Sequence, residues 1–306
     1  MDLHALIGAV FGPALVAAVL LFLARLARGR CIWFESPAWP ACAIALAVVA
    51  SARDQLGGLP WPPRIALESV PWVVCAAALA ACVMRNGSWM QRRNADHRTW
   101  PALVSASAVV VASFAMLKLP STSTSAVLAA VGLSVLSACV SAQAAVRNPG
   151  AAIPVALWGT GAALAALALM ASIAKLALIM GAFSACAAAI AVLALVQRPM
   201  QVGAPVAGVW CAMLGTAAML GMAYDEAGLP SIVWWLALAS PLGCGLALVP
   251  SIAARPRLAS AVRALAPIVV VVVALVIAAA SIAASTGDPA DADPSPYDAY
   301  GMQSPR

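Results

Sequence analysis

The chain has 306 residues, of which 64% are apolar and 9% charged, and its mean hydropathy is +0.98. A soluble domain carries nearer a quarter charged residues, so this composition excludes an ordinary water-soluble globular protein. In lipid each backbone polar group must pair within its own structure, and long uninterrupted apolar runs favour helices over the alternation of a barrel. The sequence therefore predicts an all-α, polytopic transmembrane helix bundle.

The stretch Ala151–Val196 decides how many times the chain crosses the membrane. It contains one charged residue, Lys175, and no proline after Pro154. At about 1.5 Å per residue, a single helix of this length would be more than twice as long as the roughly 30 Å hydrocarbon core. We therefore predict a helical hairpin that turns near Ser172–Lys175.

Taken in chain order, the apolar runs predict about ten spans followed by a polar tail. The spans cover residues 3–24, 40–52, 65–84, 101–117, 124–146, 151–172, 176–196, 205–223, 231–253 and 265–284. Every second span has a proline at or near its start, a position that tolerates the missing N–H: Pro40, Pro101, Pro154, Pro205 and Pro267. Residues 285–306 are acidic and rich in proline, and we expect them to be disordered.

The basic residues predict the orientation of the bundle. With ten spans and both termini outside, 12 of the 17 Lys and Arg residues fall on the inner side, including Arg255, Arg257 and Arg263 in the last inner loop. With a single crossing of Ala151–Val196 the inner side would keep only 9, so the positive-inside rule favours ten spans. This distribution predicts a multi-pass protein of the bacterial cytoplasmic (inner) membrane. The basic residues determine topology, and we expect no binding to nucleic acid.

The residue types that usually carry chemistry are scarce. Seven of the eight cysteines fall in apolar runs and are interpreted as small packing residues, whereas Cys31 lies in a polar loop. The only histidines are His4 and His97, which argues against a haem or zinc site, and we predict no cofactor or metal. No nucleophile–base pair is apparent, so we expect the protein not to be an enzyme.

Hydroxyl groups and two glycine-containing motifs supply weak candidate sites. Ser105, Ser134 and Ser137 belong to a group of serines in the fourth and fifth spans, and these side chains either pack helices together or line a substrate path. Pro241, Gly243 and Gly245 lie in the ninth span, where the proline is the nearest approach to a helix break. Gly8 and Gly12 form a GxxxG motif in the first span that would suit contact with another helix.

Tryptophans are concentrated near the predicted ends of the spans, as in an interfacial belt. Trp158 and Trp210 lie deeper, a few residues after helix-starting prolines. They either line a pocket or pack against neighbouring helices and lipid.

Two functional classes remain from the sequence. The first is a membrane-embedded structural or accessory subunit that acts through helix–helix contacts with other membrane proteins or a second copy. The alternative is a permease for a small uncharged or lipid-like solute. Because no ionisable residue is assigned to the middle of a span, the sequence favours the subunit. In either class the surrounding partner is the lipid bilayer.

Overall fold

A computed structural model of the protein describes residues 39–86, 99–115, 117, 123–147, 150–196 and 204–286. Within these ranges the chain forms helices and no strand, which confirms the all-α class. Two stretches are 3-10 helical: a short turn at Ala66–Ser69 and a nine-residue segment at Ser240–Leu248, called here the 3-10 segment. The α-helices are α1 (Trp39–Leu56), α2 (Val70–Asn86), α3 (Thr99–Ala115), α4 (Thr124–Arg147), α5 (Ala152–Met170), α6 (Ala174–Val196), α7 (Ala204–Tyr224), α8 (Ser231–Ala239), α9 (Pro250–Ala253) and α10 (Pro256–Thr286).

Six helical stretches among the described residues are long and apolar enough to cross a membrane. They are α4, α5, α6, α7, the α8 helix continued by the 3-10 segment, and α10. The α1, α2 and α3 helices occupy the positions of the second, third and fourth predicted spans but do not meet that standard. A multi-pass membrane protein is thus supported, whereas ten spans and the outside location of both termini stay predictions.

Several sequence predictions fall outside the described residues. These are the first span with Gly8 and Gly12, and residues 287–306 of the predicted tail. Residues 285 and 286, the first two of that tail, belong instead to the end of α10. The prediction that prolines occupy first turns is confirmed for α1, α3, α5 and α7.

The hairpin predicted within Ala151–Val196 is present as α5 and α6, which pack against each other. A three-residue turn joins them, and Lys175 is exposed at the second position of α6. The turn closes through hydrogen bonds from the Ile173 N–H to the Ala168 carbonyl (2.8 Å) and from the Ser172 N–H to the Leu169 carbonyl (3.0 Å). This is the Schellman pattern, and it satisfies carbonyls that the end of α5 would otherwise leave unpaired.

Ser172 occupies the left-handed position of that turn, with φ of 63°. This conformation costs an L-residue about 1–2 kcal/mol, and a β-branched side chain fits it worst. We expect Ser172→Gly to raise the stability of the hairpin by about 1 kcal/mol and Ser172→Val to lower it. Thermal denaturation in lipid nanodiscs measures both effects.

The matched control for Ser172 is Ser125, an exposed serine in the first turn of α4. That residue is part of a right-handed helix, so glycine there should be the more destabilising of the two substitutions. The same order of stabilities at both serines would show that the turn conformation is not what determines the effect at Ser172.

The α7 helix lies at the centre of the bundle and contacts α1, α2, α3, α4, α5 and α8. In its membrane-length window 89% of the residues are buried. Glycines allow the close approach: a Cβ at Gly208 would collide with Val109 of α3, and one at Gly221 would overlap the Trp234 ring of α8. Small residues at helix interfaces have this role in membrane bundles.

The α10 helix corrects two sequence predictions. It begins at Pro256, so Pro267 lies in its interior and not at a helix start. Arg263 therefore belongs to the helix and not to a loop, and its side chain is only 1% exposed. Either proline could have stood in the first turn of this helix, and the prediction chose Pro267. In the structure Pro256 takes that position, and Pro267 lies further along the same helix.

Candidate functional site at the crossing of two proline-containing segments

The serines singled out on α4 lie along one face of that helix. Ser134, Ser137 and Ser141 follow each other at spacings of three and four residues, and all three side chains are fully buried. Ser134 faces α7, because a Cβ at Gly215 would lie 2.6 Å from its Oγ. The Ser134 and Ser137 hydroxyls have no hydrogen-bond partner in the described part of the chain.

Two serines of α3 in the predicted group make hydrogen bonds within their own helix. Ser107 and Ser113 of α3 donate hydrogen bonds to carbonyls of their own helix, those of Leu103 and Val109. The side chain of Ser105 lies outside the described residues. The structure therefore brings together the serines of α4 but does not extend them into a continuous hydroxyl path with Ser107 and Ser113.

Pro241 marks the change from the α8 helix to the 3-10 segment. A run of nine 3-10 residues is unusual, and such a stretch within a span often marks a hinge. Proline cannot donate a backbone hydrogen bond, and Ser240 compensates by donating its hydroxyl to the Ala237 carbonyl at 2.8 Å. At the same end of the segment, Ser141 of the neighbouring α4 helix donates to the Pro241 carbonyl at 3.3 Å. The break in the α-helix is thus supported by hydroxyls.

Pro267 interrupts α10 in the same region. A proline in a helix interior leaves the carbonyl four residues earlier without its backbone donor, and here that carbonyl belongs to Arg263. The thiol of Cys244, in the 3-10 segment, donates to this Arg263 carbonyl at 3.6 Å. The side chain of one interrupted segment therefore replaces a backbone donor missing from the other.

Two glycines let the 3-10 segment fit between its neighbours. A Cβ at Gly243 would lie 2.9 Å from backbone atoms of both Ala266 and Pro267 in α10. A Cβ at Gly245 would lie 3.1 Å from Val140 on α4. Gly243 and Gly245 thus face α10 and α4 respectively, and the two proline-containing segments touch through Gly243. We call this contact, with Pro241, Gly243, Cys244, Arg263 and Pro267, the proline crossing.

No protein-family model matches this sequence, and no curated protein matches it either.

The proline crossing is more polar than the sequence suggested. The Arg263 side chain is only 1% exposed, and its backbone carbonyl accepts the hydrogen bond from the Cys244 thiol. Sequence reasoning found Pro241, Gly243 and Gly245 but missed Cys244, Arg263 and Pro267. One signal was available: the spacing of four between Arg263 and Pro267 identifies the carbonyl that a helical Pro267 would release.

A second feature is a surface groove of about 380 Å³ lined by Trp61, Trp72, Cys75, Ala76 and Leu79. The two indole rings meet edge-on with centroids 4.8 Å apart. The Trp72 indole N–H donates to the Pro60 carbonyl at 3.1 Å, which fixes the ring against the loop before α2. The lining is almost entirely apolar, so this groove offers contact with hydrocarbon but no polar recognition.

Proposed function

We propose that this protein is a permease for a small uncharged or lipid-like solute and that the proline crossing is the part of the bundle that moves. The observation that supports this most is the interrupted span. The 3-10 segment lies between α4 and α10; its backbone bonds follow the i→i+3 pattern, and side-chain bonds from Ser141 and Cys244 join it to these two helices. Transporters often place their substrate sites at such discontinuous helices, where backbone groups are released from the helical pattern.

This proposal reverses the preference drawn from the sequence. The sequence favoured a subunit because all ionisable residues were assigned to loops, helix ends or the tail, and because Pro241 alone was weak support for a break. Arg263 is instead a buried residue of α10, and Pro241 is the second residue of a nine-residue 3-10 segment. Buried ionisable residues and broken helices in a membrane protein are both associated with transport.

The close packing at the crossing indicates which movement would matter. Gly243 leaves no room for a side chain between the 3-10 segment and α10, so a solute path there requires the two segments to separate. Two of the bonds that the 3-10 segment makes to its neighbours are weak: the Cys244 thiol reaches the Arg263 carbonyl at 3.6 Å, and the Ser141 hydroxyl of α4 reaches the Pro241 carbonyl at 3.3 Å. Their rupture costs little compared with regular helix bonds.

The test is flux through the purified protein reconstituted in liposomes. Glycerol serves as the small uncharged probe, followed by vesicle swelling, and a fluorescent phosphatidylcholine serves as the lipid-like probe, followed by dithionite quenching. We expect one of the two to move faster than in protein-free vesicles. Rates equal to those of protein-free vesicles for both probes would contradict the permease proposal.

Pro241→Ala should slow that flux several-fold, because it permits a regular α-helix through the segment and removes the break. The matched control is Pro154→Ala, which replaces a buried proline in the first turn of α5. A first-turn proline interrupts no internal hydrogen bond, so we expect the control to conduct like the natural protein. Equal flux in the Pro241→Ala and Pro154→Ala variants would show that conduction does not depend on the proline crossing.

The subunit remains the second candidate, and one observation favours it. The exposed apolar residues Leu265, Val269, Val272, Val273 and Val276 follow the spacing of a single face of α10. Only 22% of the membrane-length window of α10 is buried within the chain, so a long apolar face is available to lipid or to a helix of another protein. Purification in native lipid followed by mass spectrometry distinguishes lipid from a partner protein on this face of α10. A partner protein recovered in a stoichiometric amount supports the subunit.

A further inference from the structure

Two cysteines from neighbouring helices lie in contact. The Sγ atoms of Cys42 on α1 and Cys82 on α2 are 3.4 Å apart. Both side chains are partly buried, and the residues beside them in the chain, Ala41, Ala43 and Ala81, are fully buried. The thiols therefore meet where α1 and α2 pack together, and neither the proline crossing nor the proposed transport uses them.

The separation suits a covalent bond between the two sulfurs. A disulfide has a sulfur–sulfur distance of about 2.05 Å, so the two atoms would need to approach by roughly 1.4 Å. Small rotations of the two cysteine side chains can provide such a movement. The flanking residues are alanines, which have no bulky group to block the rotation. The two sulfurs lie within hydrogen-bond distance of each other, so the two side chains are directed toward one another.

We propose that Cys42 and Cys82 form a dithiol site that a hydroperoxide oxidises to a disulfide. Cys82 lies one turn before the end of α2 at Asn86, and in the proposed sequence of steps it reacts first. Its thiolate attacks the outer peroxide oxygen, the O–O bond breaks, and an alcohol leaves while Cys82 becomes a sulfenic acid. The Cys42 sulfur then displaces water from that sulfenic acid and forms the S–S bond. Two thiols and one hydroperoxide give one disulfide, one alcohol and one water.

The bond would link α1 covalently to α2 for as long as the two cysteines stay oxidised. The α1 helix also contacts α6 and α7, so fixing it against α2 restricts one side of the bundle around the central helix. The site is a candidate for reversible modification, because a thiol reductant restores both cysteines.

The test uses the full chain in lipid nanodiscs, treated with cumene hydroperoxide and then alkylated. The number of alkylated cysteines should fall by two from the eight in the chain, and a thiol reductant should restore it. Digestion with trypsin should yield fragment 31–53 joined to fragment 65–85. Recovery of both fragments with all their cysteines alkylated after the treatment would overturn the proposal.

Each of these fragments contains two cysteines, so variants are needed to assign the bond. The joined fragments should persist when Cys31→Ser and Cys75→Ser are combined, and they should disappear in Cys42→Ser and in Cys82→Ser. Cys75 is the matched control, because it lies one heptad before Cys82 on the same helix and is also partly buried. In Cys42→Ser, dimedone should label Cys82 as a trapped sulfenic acid. Loss of the joined fragments from the variant that lacks Cys31 and Cys75 would equally overturn the proposal.

Discussion

Replacement of Trp210 by alanine is expected to destabilise the bundle by about 3–5 kcal/mol, the cost of removing a large aromatic side chain from a packed interior. Trp210 is fully buried on α7, the helix that the others surround. Its indole N–H also donates to the Thr160 hydroxyl on α5 at 3.0 Å, and alanine would lose this bond between helices. Thermal denaturation in nanodiscs should show a large fall in the midpoint together with poor recovery of folded protein.

Trp158 supplies the matched control for Trp210. Like Trp210, it lies a few residues after a first-turn proline, but its side chain is 48% exposed. Trp158→Ala removes the same atoms from a surface that faces lipid and leaves no internal cavity, so we expect an effect below about 1 kcal/mol. Similar losses for both variants would contradict the central position of α7.

Gly243→Ala is expected to have the second large effect, a loss of about 1–3 kcal/mol from overpacking. The added Cβ would lie 2.9 Å from backbone atoms of Ala266 and Pro267, which cannot move away as the end of a flexible side chain can. The 3-10 segment and α10 would have to separate, and the thiol bond from Cys244 to the Arg263 carbonyl would lengthen. We expect a lower denaturation midpoint and, if the crossing conducts, altered flux in liposomes.

Two other glycines calibrate this result. Gly132 lies in α4 with no atom within 4 Å of an added Cβ, so Gly132→Ala should keep or raise stability, because alanine is the better helix former by about 1 kcal/mol. Gly245→Ala should fall between the two, since its new Cβ would meet one methyl group of Val140. A loss in Gly132→Ala as large as that in Gly243→Ala would show that contact with α10 is not the cause.

The sequence predicted the all-helical class, because in lipid a chain this apolar must pair its backbone groups within helices. The hairpin of α5 and α6 followed from length and charge alone: one helix through Ala151–Val196 would have been too long for a bilayer. The interruption at Pro241 was also visible, although proline identity does not reveal how far a change of helix type extends. The structure shows nine residues of 3-10 geometry.

The arrangement of the helices could not be predicted in the same way. The α7 helix is apolar on every side, so its sequence contains no polar face to indicate what is inside and what is outside. The contact of Cys42 with Cys82 joins residues forty positions apart, and only the packing of α1 on α2 brings them together. Arg263 was misplaced because the apolar run that begins at Leu265 looked like the start of a helix that in fact begins at Pro256.

The enclosure of α7 limits the order in which this protein can be assembled in a cell. Helices leave the ribosome and enter the bilayer in chain order, and the neighbours of α7 include five earlier helices and one later helix, α8. The α7 helix must therefore wait in lipid with Gly221 uncovered until α8 arrives and the Trp234 ring settles against that glycine. An all-apolar helix can wait in this way, because hydrocarbon solvates each of its faces equally well. Membrane insertion of this protein thus depends on the apolar character of α7, the same property that kept its central position from being predicted from the sequence.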